Sequence, residues 1–566
     1  MKMGKRSFIL VVSFLMAIAF IFSAPWSIAA EEPQYGGTLR MCNLGAGLNA
    51  LSFNNTDWVW KHGHDTGLVI EHLFMGDLQK GPRGTNEYAF QANAWIPYNV
   101  MTGELVESWE MKKDPLQLIF HLRQGIYWQE KPGVMQSREF VADDVVSSQT
   151  AVQNGRRAIP NYVDFVSRWE AKDKYTVIAH LNKWNSNWAY RFGWGFYDGI
   201  QAPEQTNSKK RRDWKSLCGT GPYMLTDYKS GHSYVHKKNK NYWGKTLIDS
   251  KEYQLPFADE IVYMLIQDPQ TRLSALRTGK IDLLMGVDPK DVASIKKSCP
   301  DLKWARYSPL NGFMLALRMD TKPFDDIRVR RALNMAINRQ EILDALANGD
   351  GEPVIYPLSL CPPLQELPDS AKELFTYNPQ KAKKLLAEAG YADGFSFKAQ
   401  IPNNAQAGLD LGAMVVGYLS KIGVTLELEP MDYGSYLSMM YKKKHGPGYF
   451  FSASQDNPFQ TIRMNFVTGQ TWNAYIFSDK YVDETYFKTV EDPNLSPEES
   501  AAVMKKLAVH CVDQAPAIWL PGPYAYTTWW PWVKNYYGEL RVGAWRPGPI
   551  FARIWIDQDL KKKMGY

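Results

Sequence analysis

His62, His64 and His72 stand close together in a stretch that also carries Trp58 and Trp60. Imidazole is the commonest neutral metal ligand, so such a group could gather an ion. No cysteine stands nearby to complete a tetrahedral set, and the three read as ordinary surface or cleft histidines, with no metal and no cofactor expected. Asp325 and Asp326 are adjacent carboxylates, but they open an amphipathic run. There a carboxylate accepts the free N–H groups of a first helical turn, so they read as caps rather than as an acid/base pair. No Gly-x-Ser-x-Gly elbow and no His-Glu-x-x-His pair occurs, and Gly244-Lys245-Thr246 lacks the leading glycine of a phosphate loop because Asn239 stands there. An enzyme is therefore not expected.

The aromatic side chains offer a different chemistry, binding by stacking. The chain holds 20 Trp and 31 Tyr, and Trp184, Trp188, Tyr190, Phe192, Trp194, Phe196 and Tyr197 crowd one segment. Their uneven spacing and the glycines Gly193 and Gly195 suggest an irregular loop. Its rings either pack or stack on the face of a sugar or an apolar ligand. Trp58, Trp60 and Trp472 pose the same choice. Trp529-Trp530-Pro531-Trp532 is expected to pack or to touch another subunit, not ligand.

These residues must be positioned by elements of alternating type. Leu116, Leu118, Phe120 and Leu122 alternate with polar or outward neighbours, a half-buried strand. Tyr223–Tyr228 and Ser233–Lys237 read as a hairpin around Ser230-Gly231. Strand 260–266, a helix capped by Asp268 with Pro269 at its first position, and strand 281–285 imply parallel pairing through a right-handed crossover. Gly312–Leu317 reads as a buried strand leading into Pro323–Ile342, where Val329, Ala332, Leu333, Ala336 and Ile337 mark one helical face. Arg328, Arg330, Arg331 and Arg339 lie mostly off that stripe and read as surface. Asn378 caps another helix, 395–401 is a strand, 409–422 a helix and 424–428 a strand. Both halves are α/β.

The composition bounds the rest. The chain has 566 residues, 45% of them hydrophobic, enough for large cores in several units or two lobes. Lys2, Lys5 and Arg6, an apolar core from Phe8 to Phe22 and small residues at Ser27–Ala30 read as a secretory signal peptide, residues 1–30. Its removal lowers the net charge from +6 to +3, which gives no case for nucleic acid. The five cysteines at 42, 218, 299, 361 and 511 include no Cys-x-x-Cys pair; one or two disulfides are allowed, with pairing unreadable.

Six pieces in order resemble the extracytoplasmic solute-binding proteins of the peptide/nickel class that serve ABC importers. They are Tyr35–Leu39, Leu105–Glu110 with Phe120–Gly125, Phe140–Val146, Gly219–Tyr223, Ala258–Ile261 with Ala275–Asp282, and Pro323–Ile342. In Phe140–Val146, Val141 stands where that class has a capping threonine, so Asp143 is expected to cap a shortened helix. The resemblance implies an α/β, two-lobe periplasmic-binding-protein-like fold (type II, large peptide-binder class) with a central ligand cleft. Lobe I would hold residues 31–311 and 519–566, with an inserted subdomain at about 60–210, and lobe II residues 312–518. The chain would cross just before Pro323 and return near Ala515–Leu520. It implies a periplasmic receptor, expected to be monomeric, that closes on an oligopeptide, oligosaccharide or similar polar solute and hands it to a membrane permease.

Where peptide binders of that class carry an aspartate for a ligand ammonium, this chain has Ser454, with Asp456 two residues on. That departure and the aromatic richness tilt the expected ligand towards an oligosaccharide or other non-peptide solute. Asn55, Trp58, Trp194, Tyr433, Ser454, Asp456 and Trp472 are the expected cleft contacts. An exported hydrolase and a periplasmic sensor are the alternative functions.

Overall fold

The structure is a computed structural model. It describes residues 32–42, 52–54, 66–91, 96–155, 164–195, 199–308, 311–356, 360–404, 406–454 and 457–566. The expected signal peptide, and Asn55, Trp58, Trp60, His62, His64 and Asp456, lie outside the described residues.

Three main sheets organise the chain. A seven-stranded sheet runs, edge to edge, through Lys303–Tyr307, Ala525–Trp529, Leu283–Val287, Thr38–Cys42, Glu260–Met264, Ser233–Lys238 and Tyr223–Lys229. A five-stranded sheet runs through Val424–Met431, Phe395–Pro402, Gly448–Ser454, Asn311–Leu317 and Ala517–Trp519. A four-stranded antiparallel sheet holds Val106–Lys113, Leu116–Leu122, Thr176–Leu181 and Val166–Asp173. The strand–helix–strand unit around Asp268 is parallel as expected, but its two strands are not neighbours. The N-terminal strand Thr38–Cys42 lies between them, parallel to both. The strand that fills that slot lies more than 200 residues away in sequence, which is why local pattern did not reveal it.

The strand Asn311–Leu317 explains its own apolar run. Met314 and Ala316 enter one core, while Leu315 and Leu317 enter another on the opposite face of the sheet. A strand covered on both faces needs apolar residues at every position. Its partners repeat the pattern. Tyr449 and Phe451 face the first core and Phe450 the second; Ala517 and Trp519 face the first and Ile518 the second. A third, larger core joins the seven- and four-stranded sheets.

Pro323–Ile342 is two helices rather than one. Asp326 accepts the backbone N–H of Arg328 at 2.8 Å and caps Ile327–Met335. Asn338 then caps a second helix, Arg339–Ala347. The capping role expected of the aspartate pair thus falls to Asp326. The expected surface placement of the arginines fails for two of them. Arg330 and Arg339 are only 3% and 4% exposed. Arg330 donates to the carbonyls of Phe324 and Gln514, and Arg339 to those of Asn334, Ile337 and Trp519 and to the Asn334 side chain. Asn334 in turn donates to the Ala517 carbonyl at 2.8 Å and accepts the Trp519 N–H. Burial lowers the two guanidiniums to about 10 and about 9, so both stay charged at neutral pH. Helical periodicity could not separate these two from exposed Arg328, because their long side chains reach backbone carbonyls from outside the apolar stripe.

Further expectations also shift. In the helix Ala142–Gln153 it is Asp144, not Asp143, that accepts the Val141 N–H, at 3.0 Å. Asp144 is buried and also takes Arg138 at 2.7 Å and the Trp128 indole at 2.9 Å, so its partners decided the cap. All five cysteines are thiols, and no disulfide forms. Trp529, Trp530 and Trp532 pack, as one of the two expectations had it. Trp530 and Trp532 stack at 4.8 Å, and the Trp532 indole donates to Asp282.

Arg339→Met is expected to lower the unfolding free energy by about 3 kcal/mol, because buried acceptors lose their shared donor. Exposed Arg328→Met should leave the urea midpoint close to that of the wild-type protein. Urea melts of both variants check this.

Candidate functional site

The helix Pro458–Phe466 starts where strand Gly448–Ser454 ends. Pro458 occupies its first position, and the Asn457 side chain accepts the N–H groups of Phe459 and Gln460 at 3.0 and 3.2 Å. Polar residues of this helix are buried along with the apolar ones. Gln460, Thr461, Arg463 and Asn465 are all less than 8% exposed. A helix buried all round lies between two bodies rather than on the face of one. Phe459, Ile462 and Phe466 join a core of the five-stranded sheet. Opposite stands the aromatic segment of residues 184–194, whose Trp184, Trp188, Tyr190 and Phe192 join the core of the other two sheets.

The seam between these cores is polar. Deep inside it, Arg191 donates to the Gln460 side-chain oxygen at 2.6 Å. Further out, the Ser186 N–H meets the Val490 carbonyl at 2.8 Å. At the rim Lys183 reaches Glu491 at 2.7 Å and Asp164 at 3.6 Å, and Lys113 reaches Asn494 at 2.8 Å. Arg463 lies one turn along from Gln460. Burial, opposed by nearby Tyr486 and reinforced by the like charge of Arg191, holds it below the ordinary arginine range.

The expected contacts fall unequally on this frame. Tyr433, 44% exposed, begins a file of rings. It stacks on Tyr436 at 6.1 Å, and Tyr436 stacks on Tyr449 at 4.3 Å. Trp472 meets Tyr441 edge-on at 5.4 Å and Phe451 at 5.9 Å. Both Tyr436 and Trp472 belong to the core that receives the buried helix, so Tyr433 and Trp472 are brought to one side of the five-stranded sheet. Trp194 ends a short π-helical turn, Tyr190–Trp194, and Ser454 pairs with Asn311 across two strands; the side chains of both lie outside the described set. Up to Gly195 the segment is not an open loop. A Cβ on Gly193 would sit 2.2 Å from the Phe74 ring, so close packing demands that glycine. Arg191, Gln460 and Arg463 were missed. Their only signals are a lone arginine inside an aromatic run and two long polar side chains three apart after a Pro-initiated helix start.

One buried carboxylate could suggest catalysis. Glu71, 1% exposed, accepts the Tyr242 hydroxyl and the Trp243 indole, each at 2.9 Å. Burial first, and then the neighbouring Glu104 carboxylate, hold Glu71 above the ordinary carboxylate range. Glu104 is itself taken by fully buried Arg546 at 2.5 Å and by the His72 N–H. These buried partners make it an internal network. A surface cavity of about 590 Å³ lies beside it, lined by Glu107, Arg123, Gln124, Gly125 and Trp243, none of them a seam residue. Among the described residues no three side chains gather to hold a metal ion, and no helix is long and apolar enough to cross a membrane.

Two sequence-distant cores, joined by strands and meeting at a polar seam, define a protein built to bind between lobes. Residues 100–485 match the model of the bacterial extracellular solute-binding proteins, family 5, middle region, and the chain belongs to that family. It is a two-lobe solute-binding receptor and not an enzyme. It is 26% identical over 463 residues to heme-binding protein A of Haemophilus influenzae, covering 76% of this chain and 81% of that protein. It is 26% identical over 543 residues to di/tripeptide-binding protein 1 of Pseudomonas aeruginosa, covering 91% and 94%. The fold matches the ABC transporter-associated periplasmic binding protein DppA from Helicobacter pylori in complex with peptide STSA. The TM-score is 0.72 at 21% identity, over 93% of this chain and 99% of that one.

The raised Glu71 carboxyl sets a pH dependence. The folded protein keeps this proton at pH values where the unfolded chain, with a carboxyl near 4.5, has lost it. Stability is therefore expected to fall as pH rises from about 4.5 towards neutrality, and to level off once Glu71 is ionised in both states. Glu71→Gln should remove this contribution, so melting temperatures measured from pH 5 to 8 should decline less in the variant. Parallel profiles would contradict the assignment.

Proposed function

We propose that this protein is a periplasmic receptor that captures a short peptide by closing its two lobes and presents it to the permease of an ABC importer. The observation that carries this reading is the match to a di/tripeptide-binding protein over 91% of the chain. Dipeptide-binding proteins of Pseudomonas aeruginosa and Escherichia coli also match. Against this, the tilt towards an oligosaccharide rests on the serine at 454 and on aromatic abundance, and many of those rings are core.

Lobe I is proposed to hold residues 31–311 and 519–566, with an inserted subdomain at about 60–210, and lobe II residues 312–518. Sheet membership supports the division. The chain leaves the seven-stranded sheet at Tyr307 and enters the five-stranded one at Asn311; it leaves that sheet at Trp519 and re-enters the first at Ala525. Two such crossings act as a hinge, and ligand contacts made only when the lobes meet shift the population to the closed form. Tyr433 and Trp472 are proposed to line the ligand side of lobe II, with Asn55, Trp58, Trp194, Ser454 and Asp456 completing the cleft. The receptor is proposed to act as a monomer, exported by a cleaved signal peptide over residues 1–30.

A thermal-shift comparison of tri-alanine, maltotriose and a nickel chelate tests the ligand class. Tri-alanine at 100 times its dissociation constant should stabilise the protein by about 2.7 kcal/mol. A shift with maltotriose alone would overturn the peptide reading. Tyr433→Ala should weaken the responding ligand about tenfold, the effect of losing one aromatic contact, and change stability by less than about 1 kcal/mol.

A further inference from the structure

We propose that the surface cavity beside the Glu71 network is a second binding site, apart from the seam, for a small zwitterion carrying one ammonium and one carboxylate, a free amino acid. The cavity holds about 590 Å³ and is lined by Glu107, Arg123, Gln124, Gly125 and Trp243. The first four come from the strand Val106–Lys113 and the turn after Leu116–Leu122, and Trp243 from the segment after Ser233–Lys238. The site does not depend on what the seam holds.

Two of the lining groups are fixed from behind. The Arg123 Nε donates to the Glu104 carbonyl at 2.8 Å and its Nη2 to the Gly103 carbonyl at 3.3 Å. The guanidinium stands 5.5 Å from the centre of the Trp243 ring, and the Trp243 indole donates to buried Glu71 at 2.9 Å. The third group is placed by a break in the ladder. Val106 pairs with Leu122 and Ser108 with His121, so Glu107 is the extra residue between them. Such a bulge re-aims a side chain that regular pairing would direct elsewhere.

The charges facing this cavity do not cancel. Among the described residues no hydrogen bond or ion pair engages the Glu107 carboxylate, the Gln124 amide or the Arg123 Nη1. Glu107 and Arg123, opposite in sign, do not pair with each other. Neighbouring acids are already engaged: Glu104 by Arg546, Glu71 by Tyr242 and Trp243, and Glu139 by Lys174 and Tyr175. An ordinary surface pair at one cavity would swing together, but a guanidinium tied to two carbonyls cannot. Both signs are therefore held open, and a solute carrying both is their complement. A solute with one charge meets a like charge on one side, which counts against it. Guanidinium suits a carboxylate, Glu107 suits an ammonium, and the Gln124 amide can donate or accept. Trp243 adds ring surface for an apolar side chain.

Calorimetric titration of the full chain with L-leucine, leucinamide and N-acetyl-leucine tests this, at about pH 6.5, below the α-amino range. The first carries both charges, the second only the ammonium and the third only the carboxylate. L-Leucine is expected to bind at least tenfold tighter than either. Glu107→Gln should bring it down to the affinity of N-acetyl-leucine, and Arg123→Gln to that of leucinamide. Circular dichroism melts identify a variant that fails to fold; Glu107 is exposed, so Glu107→Gln decides alone if Arg123→Gln does not fold. Tri-alanine separates this site from the seam. Its affinity should be unchanged in Glu107→Gln, and saturating tri-alanine should leave L-leucine binding intact. Equal affinity for the three probes, no binding of L-leucine, or its displacement by tri-alanine would each overturn the second site and leave the receptor reading standing. If tri-alanine itself does not bind, the peptide reading fails, and the leucine series with Glu107→Gln still decides the site.

Discussion

The two buried guanidiniums of Arg330 and Arg339 hold the segment that leads the chain back to its first sheet. They and Asn334 bond the carbonyls of Gln514, Ala517 and Trp519, the stretch that returns the chain to its first sheet. An edge strand of three residues, Ala517–Trp519, has few ladder bonds of its own. The helix pair supplies further bonds, from two buried guanidiniums and the Asn334 amide. The direction of the returning chain, and hence the relation of the two sheets, depends on these contacts.

From that junction the structure opens into two different surroundings. On one side, cores of ordinary apolar composition cover both faces of the five-stranded sheet. On the other, a helix saturated with buried polar groups meets an aromatic segment across a seam. The contrast follows from what each region must do. A core excludes water permanently and is cheapest when apolar. On the proposed lobe closure, the seam must be stable wet as well as dry, so its groups are ones that water can satisfy when the lobes part. The Arg191–Gln460 contact and the Lys183 rim are of that kind.

How far the site could be read in advance varied with how local its causes were. The cap at Asp268, the hairpin after Tyr223 and the family pieces around Pro323 depend on neighbours within a few residues, and the structure has them. Tyr433 and Trp472 were singled out by aromatic type, which does not record that they stand on one side of the five-stranded sheet. The inward course of Arg330 and Arg339 was not legible, since a charged residue off an apolar stripe is ordinarily solvated. Nor was Arg191, whose partner stands 269 residues away.

The sequence by itself determined the α/β grammar and the family, because periodicity, capping and motif order are written in short stretches of chain. Only the tertiary structure decided which strand fills the slot between Glu260–Met264 and Leu283–Val287, which arginines are interior, and which polar groups meet across the seam. Those outcomes depend on pairings between distant segments. Burial and electrostatics act through space, and spacing along the chain does not record them.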